Sequence, residues 1–237
     1  QRFVDKGYTQ PKPLIKVNRK RTIEYIVDMF SPEDDFVFIC NEKHLKDTSM
    51  KFVLQDICPN STIVSMPMHK YGPVYTVQEV YNHIDDDEEV IVTYCDNPYI
   101  WDRDDFAHHV KDKKLDGCVL SHSGLHPHTL NNTKMASTGT YYFRKGSYIK
   151  KYFNEAMEKN IQYNGEYYVT LVYNLLIEDG LRVGYYDTPF ATVMGTPEEV
   201  ENIEAWNSIV NKGQVKNEDD LIACYRYWKA YHETGVV

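Results

Sequence analysis

The sequence predicts an α/β fold with an open, mainly parallel, three-layer sheet, on three observations. Short apolar, β-branched or aromatic runs alternate with longer amphipathic ones, the pattern of successive βαβ units. The chain, at 237 residues, can bury the core of one large domain. Its hydrophobic content of 42%, with ordinary glycine and proline usage, argues against disorder.

Taken in order, the first helix candidate is Thr22–Phe30, followed by a strand at Asp35–Cys40 built on Phe36-Val37-Phe38-Ile39. A helix over Lys43–Ile57 leads to a strand at Ser61–Ser65. A helix over Tyr75–Ile84 then leads to a strand at Glu89–Cys95, which carries Val90-Ile91-Val92-Thr93. Asp104–Lys111 and Gly117–Leu120 repeat the pattern. Beyond these come a strand at Thr140–Phe143, helices at Gly146–Lys159 and Tyr167–Glu178, and short strands at Leu181–Tyr186 and Phe190–Met194. Pro197-Glu198-Glu199 opens another helix, with Thr196 as N-cap and acids suited to the positive helix end. Asn217–His232 reads as a final helix rich in Tyr and Trp, inside a C-terminal helical extension over 213–237. No repeat or linker divides the chain, so 1–237 is expected to be a single domain.

Composition narrows the function. A formal charge of −9 argues against nucleic acid as a partner, because phosphate-backbone binders carry a basic surface. No apolar run approaches the roughly 20 residues that span a bilayer, and no signal-peptide pattern is visible. Cys40, Cys58, Cys95, Cys118 and Cys224 form no CxxC and are odd in number, which fits reduced, structural thiols in a cytoplasmic protein. The sequons at Asn60 and Asn131 are then chance matches.

Two cations stand out near the start. Pro11 and Pro13 fix the backbone on either side of Lys12 and display it from a rigid loop, where an ammonium can meet phosphate oxygens. Arg2 adds a planar fork of donors for the same class of ligand. Together they suggest a polyphosphate site. In open parallel sheets the ligand lies beyond the carboxyl ends of the strands, which selects Asn41-Glu42, Met66–Gly72 and Asp96-Asn97. Asp96 closes the strand Val90–Thr93, where a carboxylate can hold Mg²⁺. Asp-Asn-Pro also makes a good strand-ending Asx turn, which is its structural alternative.

The order Arg2-Phe3 … Pro11-Lys12-Pro13-Leu14-Ile15-Lys16-Val17 … Ile23-Glu24-Tyr25, then Gly139-Thr140-Tyr141-Tyr142-Phe143, Asn164-Gly165-Glu166-Tyr167-Tyr168 and Gly195-Thr196-Pro197-Glu198-Glu199, resembles the sugar-nucleotidyltransferase family over most of the chain. The resemblance implies a nucleotide-diphospho-sugar transferase-like (GT-A-like) fold. The implied activity is Mg²⁺-dependent transfer of a nucleotide from an NTP to a small phosphorylated acceptor such as a sugar phosphate, with release of pyrophosphate. CTP or UTP is favoured. It assigns Arg2 and Lys12 to the triphosphate, Asp96 to the metal, the Gly72-Pro73 segment to the base, and Thr138, Gly139 and Glu166 to the acceptor. A homodimer is left open.

Departures from the family pattern are equally readable. The sequence begins inside the signature, so the first strand and the glycine-rich loop would lie upstream of Gln1. Where Leu130–Met135 meets Ala136–Gly139 the chain is also shorter than the family pattern, which has a longer excursion there. Where relatives often carry a second metal acid stands Val193, with Asp187 and Asp102 as weak substitutes. A GT-A-type glycosyltransferase and a non-catalytic nucleotide sensor are the alternatives. His122, His126 and His128 have no standard zinc spacing, although one of them could touch the acceptor. Asp85-Asp86-Asp87-Glu88-Glu89 reads as a solvated turn, and the paired tyrosines as packing. The alternative for Gly72-Pro73 is a plain helix-opening turn, and for Glu166 a first-turn acid.

Overall fold

A computed structural model describes residues 2–122, 136–188, 190–201 and 203–204. The helices are α1 (Arg2–Asp5), α2 (Thr22–Val27), α3 (Glu42–Asp47), α4 (Met50–Ile57), α5 (Pro73–Gln78), α6 (Arg103–Asp112), α7 (Gly146–Glu158) and α8 (Val169–Glu178). The strands are β1 (Lys16–Val17), β2 (Lys20–Arg21), β3 (Val37–Asn41), β4 (Thr62–Met66), β5 (Val90–Thr93), β6 (Tyr99–Ile100), β7 (Gly117–His122), β8 (Ala136–Phe143), β9 (Val183–Asp187) and β10 (Phe190–Ala191).

The main sheet has the order β5-β8-β7-β9. β7 and β9 run parallel, while β8 lies antiparallel between β5 and β7, so the sheet is mixed at that point. Its two-residue side-chain period builds the three layers. Tyr141 and Phe143 of β8 point to one face, into a core with Phe153 of α7 and Val172, Tyr173 and Leu176 of α8. Tyr142, between them in sequence, points to the other face with Cys118 and Leu120 of β7 and Phe106 and Val110 of α6. Fully burying a side chain such as Phe143 contributes about 1.5–3 kcal/mol, so alternation along this one strand ties both helical layers to the sheet.

β3 and β4 form a separate parallel pair, packed on α2 and α4. A cleft of about 1020 Å³ separates this pair from the main sheet. It is lined by Val37, Phe38, Ile39 and Cys40 on one side and Val90, Ile91, Val92 and Thr93 on the other.

Element boundaries differ from the sequence reading in instructive ways. The single helix expected over Lys43–Ile57 is broken at Thr48 and Ser49, where the Thr48 hydroxyl donates to the carbonyl of His44 at 2.6 Å and accepts from the Met50 N–H. The helix expected over Tyr75–Ile84 begins earlier, at Pro73, and gives way to a 3₁₀ turn at Tyr81–His83. The β1–β2 hairpin turns through Asn18 and Arg19, both at positive φ. Residues 205–237, with Cys224 and the expected terminal helix, and residues 123–135, with His126, His128 and Asn131, lie outside the described residues. Cys40, Cys58, Cys95 and Cys118 are unbridged. No helix among the described residues is long and apolar enough to cross a membrane.

At the amino end of β7, the buried Asp116 holds three elements together. Its carboxylate pairs with Arg144, accepts from the Tyr148 hydroxyl at 3.3 Å and accepts from the Arg182 N–H at 2.9 Å. Asp116→Ala strands these donors, so a stability loss of about 2–3 kcal/mol is expected. A denaturation midpoint unchanged from wild type would show that the cluster is not a fastening.

Candidate active site

The site is assembled from chain segments fixed by apolar anchors. Pro11 is extended, and Lys12–Leu14 form a single 3₁₀ turn in which the Leu14 N–H reaches the Pro11 carbonyl at 2.8 Å. Leu14 and Ile15 are 5% and 4% exposed, and the Ile15 carbonyl accepts from both the N–H and the hydroxyl of Thr22. Lys12 therefore projects from a backbone pinned immediately behind it. Phe3 plays the same part for Arg2, seating α1 against Ile15, Val17, Met194 and Val200.

β5 delivers Asp96 through a strand end that is itself held. The Tyr94 N–H donates to the Gly139 carbonyl, while Thr192 and Met194 donate to the carbonyls of Pro98 and Asp96. Residues 192–194 thus run beside the Asp96 segment. The turn that follows is closed by a capping box. Glu199 Oε2 accepts from the Gly195 and Thr196 N–H groups at 2.9 and 2.8 Å, and the Glu199 N–H donates to the Thr196 hydroxyl.

These segments meet around a polar cavity of about 340 Å³, lined by Arg2, Lys12, Asp96, Asn97, Ala136, Ser137, Val193, Gly195, Thr196 and Glu199. Across it, Lys12 Nζ forms an ion pair with Asp96 Oδ2, joining residues 84 positions apart. The phosphate cation and the metal acid expected from sequence are direct neighbours, and Arg2 lines the same cavity.

The other expected site residues are placed differently. Pro73 and Glu166 line the larger cleft, with Asp96 on the boundary of both spaces. Gly72 has φ of 87° and precedes Pro73 at the first turn of α5, as in the helix-opening alternative. A Cβ there would stand 2.8 Å from the backbone N and O of Tyr167, so what approaches this glycine is the Tyr167 backbone. Gly72→Ala should destabilise by at least about 1–3 kcal/mol from backbone strain alone, read as a lowered melting temperature. The Thr138 hydroxyl is buried and donates to the Leu120 carbonyl, which takes it away from an acceptor. Gly139, at φ of 78°, packs against Tyr94 and Asn97. From this strand it is Ala136 and Ser137 that reach the cavity.

Asp102 caps α6 through the Asp105 N–H, and Asp187 ends β9; neither lines the cavity. Val193 does line it. The buried His122 donates from Nδ1 to the Thr188 carbonyl at 2.9 Å. Sequence reasoning missed Glu199 and Ser137 as cavity residues. The Thr-Pro-Glu-Glu capping signal was legible, but nothing local tied it to Asp96.

Cys40, Tyr94 and Cys95, which line the larger cleft with Asp96, are not poised as nucleophiles. Burial, with help from the Asp96 charge, pushes the Cys95 thiol up to about 12, and burial lifts Cys40 to about 11. Tyr94 is raised far above the ordinary phenol range by burial first and by Tyr141 second.

For a hard dication, oxygen donors on the cavity wall include the Asp96 carboxylate and Asn97, whose Oδ1 is buried with no hydrogen-bond partner among the described residues. Mg²⁺ usually takes one or two protein carboxylates and completes its shell with substrate phosphates and water. The donor set fits such an ion.

The family described as MobA-like NTP transferase domain matches residues 2–144, more than half of the chain. The chain belongs to this family. Among solved structures, a nucleoside-diphosphate-sugar pyrophosphorylase from Vibrio cholerae RC9 superposes with a TM-score of 0.70 at 19% identity, over 86% of this chain and 95% of that one. A Bacillus anthracis protein provisionally assigned as a glucose-1-phosphate thymidylyltransferase, crystallised with sucrose, superposes with a TM-score of 0.62 at 16% identity, over 83% and 86%. At such identities the likeness establishes the shared α/β fold. No curated protein matches the chain. Within this NTP transferase domain, Arg2, Lys12 and Asp96 all lie inside the matched residues, whereas Thr196 and Glu199 close the cavity from outside them.

Proposed function

We propose that the protein is a nucleotidyltransferase that joins an NTP to a sugar phosphate and releases pyrophosphate. The observation that carries this reading is the meeting of Lys12, Arg2 and Asp96 at the carboxyl end of β5, in a polar cavity of an NTP transferase domain. The names of the two structural neighbours support a sugar phosphate as acceptor.

In this reading the acceptor phosphate attacks the α-phosphorus in line, and the bond to the departing pyrophosphate breaks. Lys12 and Arg2 hold the triphosphate oxygens and offset the charge that develops on them. Asp96 holds a magnesium ion, which neutralises phosphate charge so that two anions can approach. Nothing covalent is asked of the protein, in keeping with the raised thiols and phenols around the site; positioning supplies the acceleration. Glu166, on the wall of the larger cleft shared with Asp96, is the residue we assign to the acceptor.

Pyrophosphate release tests the proposal. A panel of NTPs, with CTP and UTP first, is combined with sugar phosphates and Mg²⁺. Release dependent on both substrates is expected. Sugar transfer from a nucleotide sugar without pyrophosphate would make the protein a glycosyltransferase, and binding without turnover would make it a sensor.

A further inference from the structure

The ion pair between Lys12 and Asp96 sets two assigned roles in competition, because the ammonium occupies the carboxylate oxygen assigned to the metal, and the carboxylate offsets the charge assigned to the triphosphate. Resting on the nucleotidyltransferase reading, we propose that Lys12 is an exchangeable counter-ion. It holds Asp96 in the ligand-free protein and passes to the phosphates only when a divalent cation takes the Asp96 oxygen.

The surroundings of the pair favour exchange over a fixed bridge. The two side chains are 31% and 16% exposed, so they face the cavity and their bond can be reached by an incoming ion. Lys12 Nζ lies 3.5 Å from where a Cβ on Gly195 would stand, alongside the turn that Glu199 caps. Glu199 spends Oε2 on the Gly195 and Thr196 N–H groups, which leaves Asp96 as the carboxylate that Lys12 holds. The formal charges on the cavity wall balance, with Arg2 and Lys12 opposite Asp96 and Glu199.

A dication arriving alone must displace an ammonium from Asp96 and then remain beside it, with repulsion between like charges at contact distance. A triphosphate arriving alone finds Lys12 already engaged. Arriving together, each ligand removes the other's obstacle: the dication takes the carboxylate and the phosphate takes the ammonium. Such coupling is reciprocal by necessity, so the lysine makes the site selective for the metal–nucleotide pair over either component. Asn97, which lines the same cavity, has a buried Oδ1 with no hydrogen-bond partner among the described residues.

The test reads metal binding without nucleotide. Mn²⁺ alone is titrated into wild type, Lys12→Met, Lys12→Gln and Asp96→Asn, following free Mn²⁺ by electron paramagnetic resonance. Melting curves confirm that each variant is folded. Lys12→Met keeps the unbranched stem and removes the competing charge, so Mn²⁺ should bind at least about tenfold tighter than to wild type, equivalent to 1.4 kcal/mol. Lys12→Gln should move the same way, and Asp96→Asn should lose the site. A lysine serving the phosphates alone would leave Mn²⁺ affinity unchanged in both Lys12 variants, and that result overturns the exchange. So does weaker binding, or no binding in any variant. Pyrophosphate release by wild type is scored separately. Its absence alongside tightened Mn²⁺ binding would sink the nucleotidyltransferase reading and leave the exchange standing.

Discussion

Lys12→Ala is expected to lower turnover in the pyrophosphate-release assay by about 10²–10³, the usual loss when one preorganised charge contact to a transition state is removed. The effect should be confined to chemistry and nucleotide binding. Lys12 sits on a one-turn 3₁₀ segment whose neighbours Leu14 and Ile15 carry the packing, so truncating its side chain leaves no cavity in the core. Its ion pair faces solvent on the lysine side, and part-exposed pairs contribute about 0–1 kcal/mol. A melting temperature near wild type with turnover down by hundreds would therefore place Lys12 at the phosphates. Lys12→Arg should recover only part of the rate, because a planar fork cannot reproduce the point contact of an ammonium. Turnover like wild type in Lys12→Ala would remove Lys12 from the site.

How much of this could be read from the sequence depended on whether the signal was local. The β-branched runs at Val37–Ile39 and Val90–Thr93 announced their strands, and Thr196 was read as an N-cap, whose hydroxyl accepts from the Glu199 N–H in the structure; the return bonds to Glu199 Oε2 were not foreseen. Lys12 and Asp96 were found separately, one through flanking prolines and the other through a strand end. Their contact was not legible, since it spans 84 positions and joins two segments that lie outside any strand. The β6–β10 pairing was hidden for the same reason. Each strand has two residues, and they pair across about a third of the chain. Thr138 and Gly139 do not line the cavity, which Ala136 and Ser137 reach instead. Which way each points depends on the register of β8 against β7, where an irregularity after Leu120 shifts the pairing, and on Tyr94 packing against Gly139.

Asp96→Asn is expected to abolish Mg²⁺-dependent turnover, with a fall of about 10³ or more, because among the described residues it removes the one carboxylate lining the cavity that is not engaged by backbone N–H groups. The amide keeps the size of the side chain and an oxygen able to cap the turn before Pro98. If Asp96 only ends a strand, the variant should therefore behave as wild type. Its backbone carbonyl, which accepts from Met194, is untouched, so the 192–194 segment should stay in place. The decisive measurement is turnover across a Mg²⁺ titration. A functional Asp96 shows as activity that stays low at the Mg²⁺ concentrations that saturate wild type and rises only at far higher Mg²⁺. Should the variant reach the wild-type rate at the wild-type Mg²⁺ concentration, Asp96 would be a turn residue. Asp102 and Asp187 could not inherit the role, since one caps α6, the other ends β9, and neither lines the cavity. The remaining carboxylate there is Glu199. To serve a metal, it would have to release the Gly195 and Thr196 N–H groups and open the turn that closes the site.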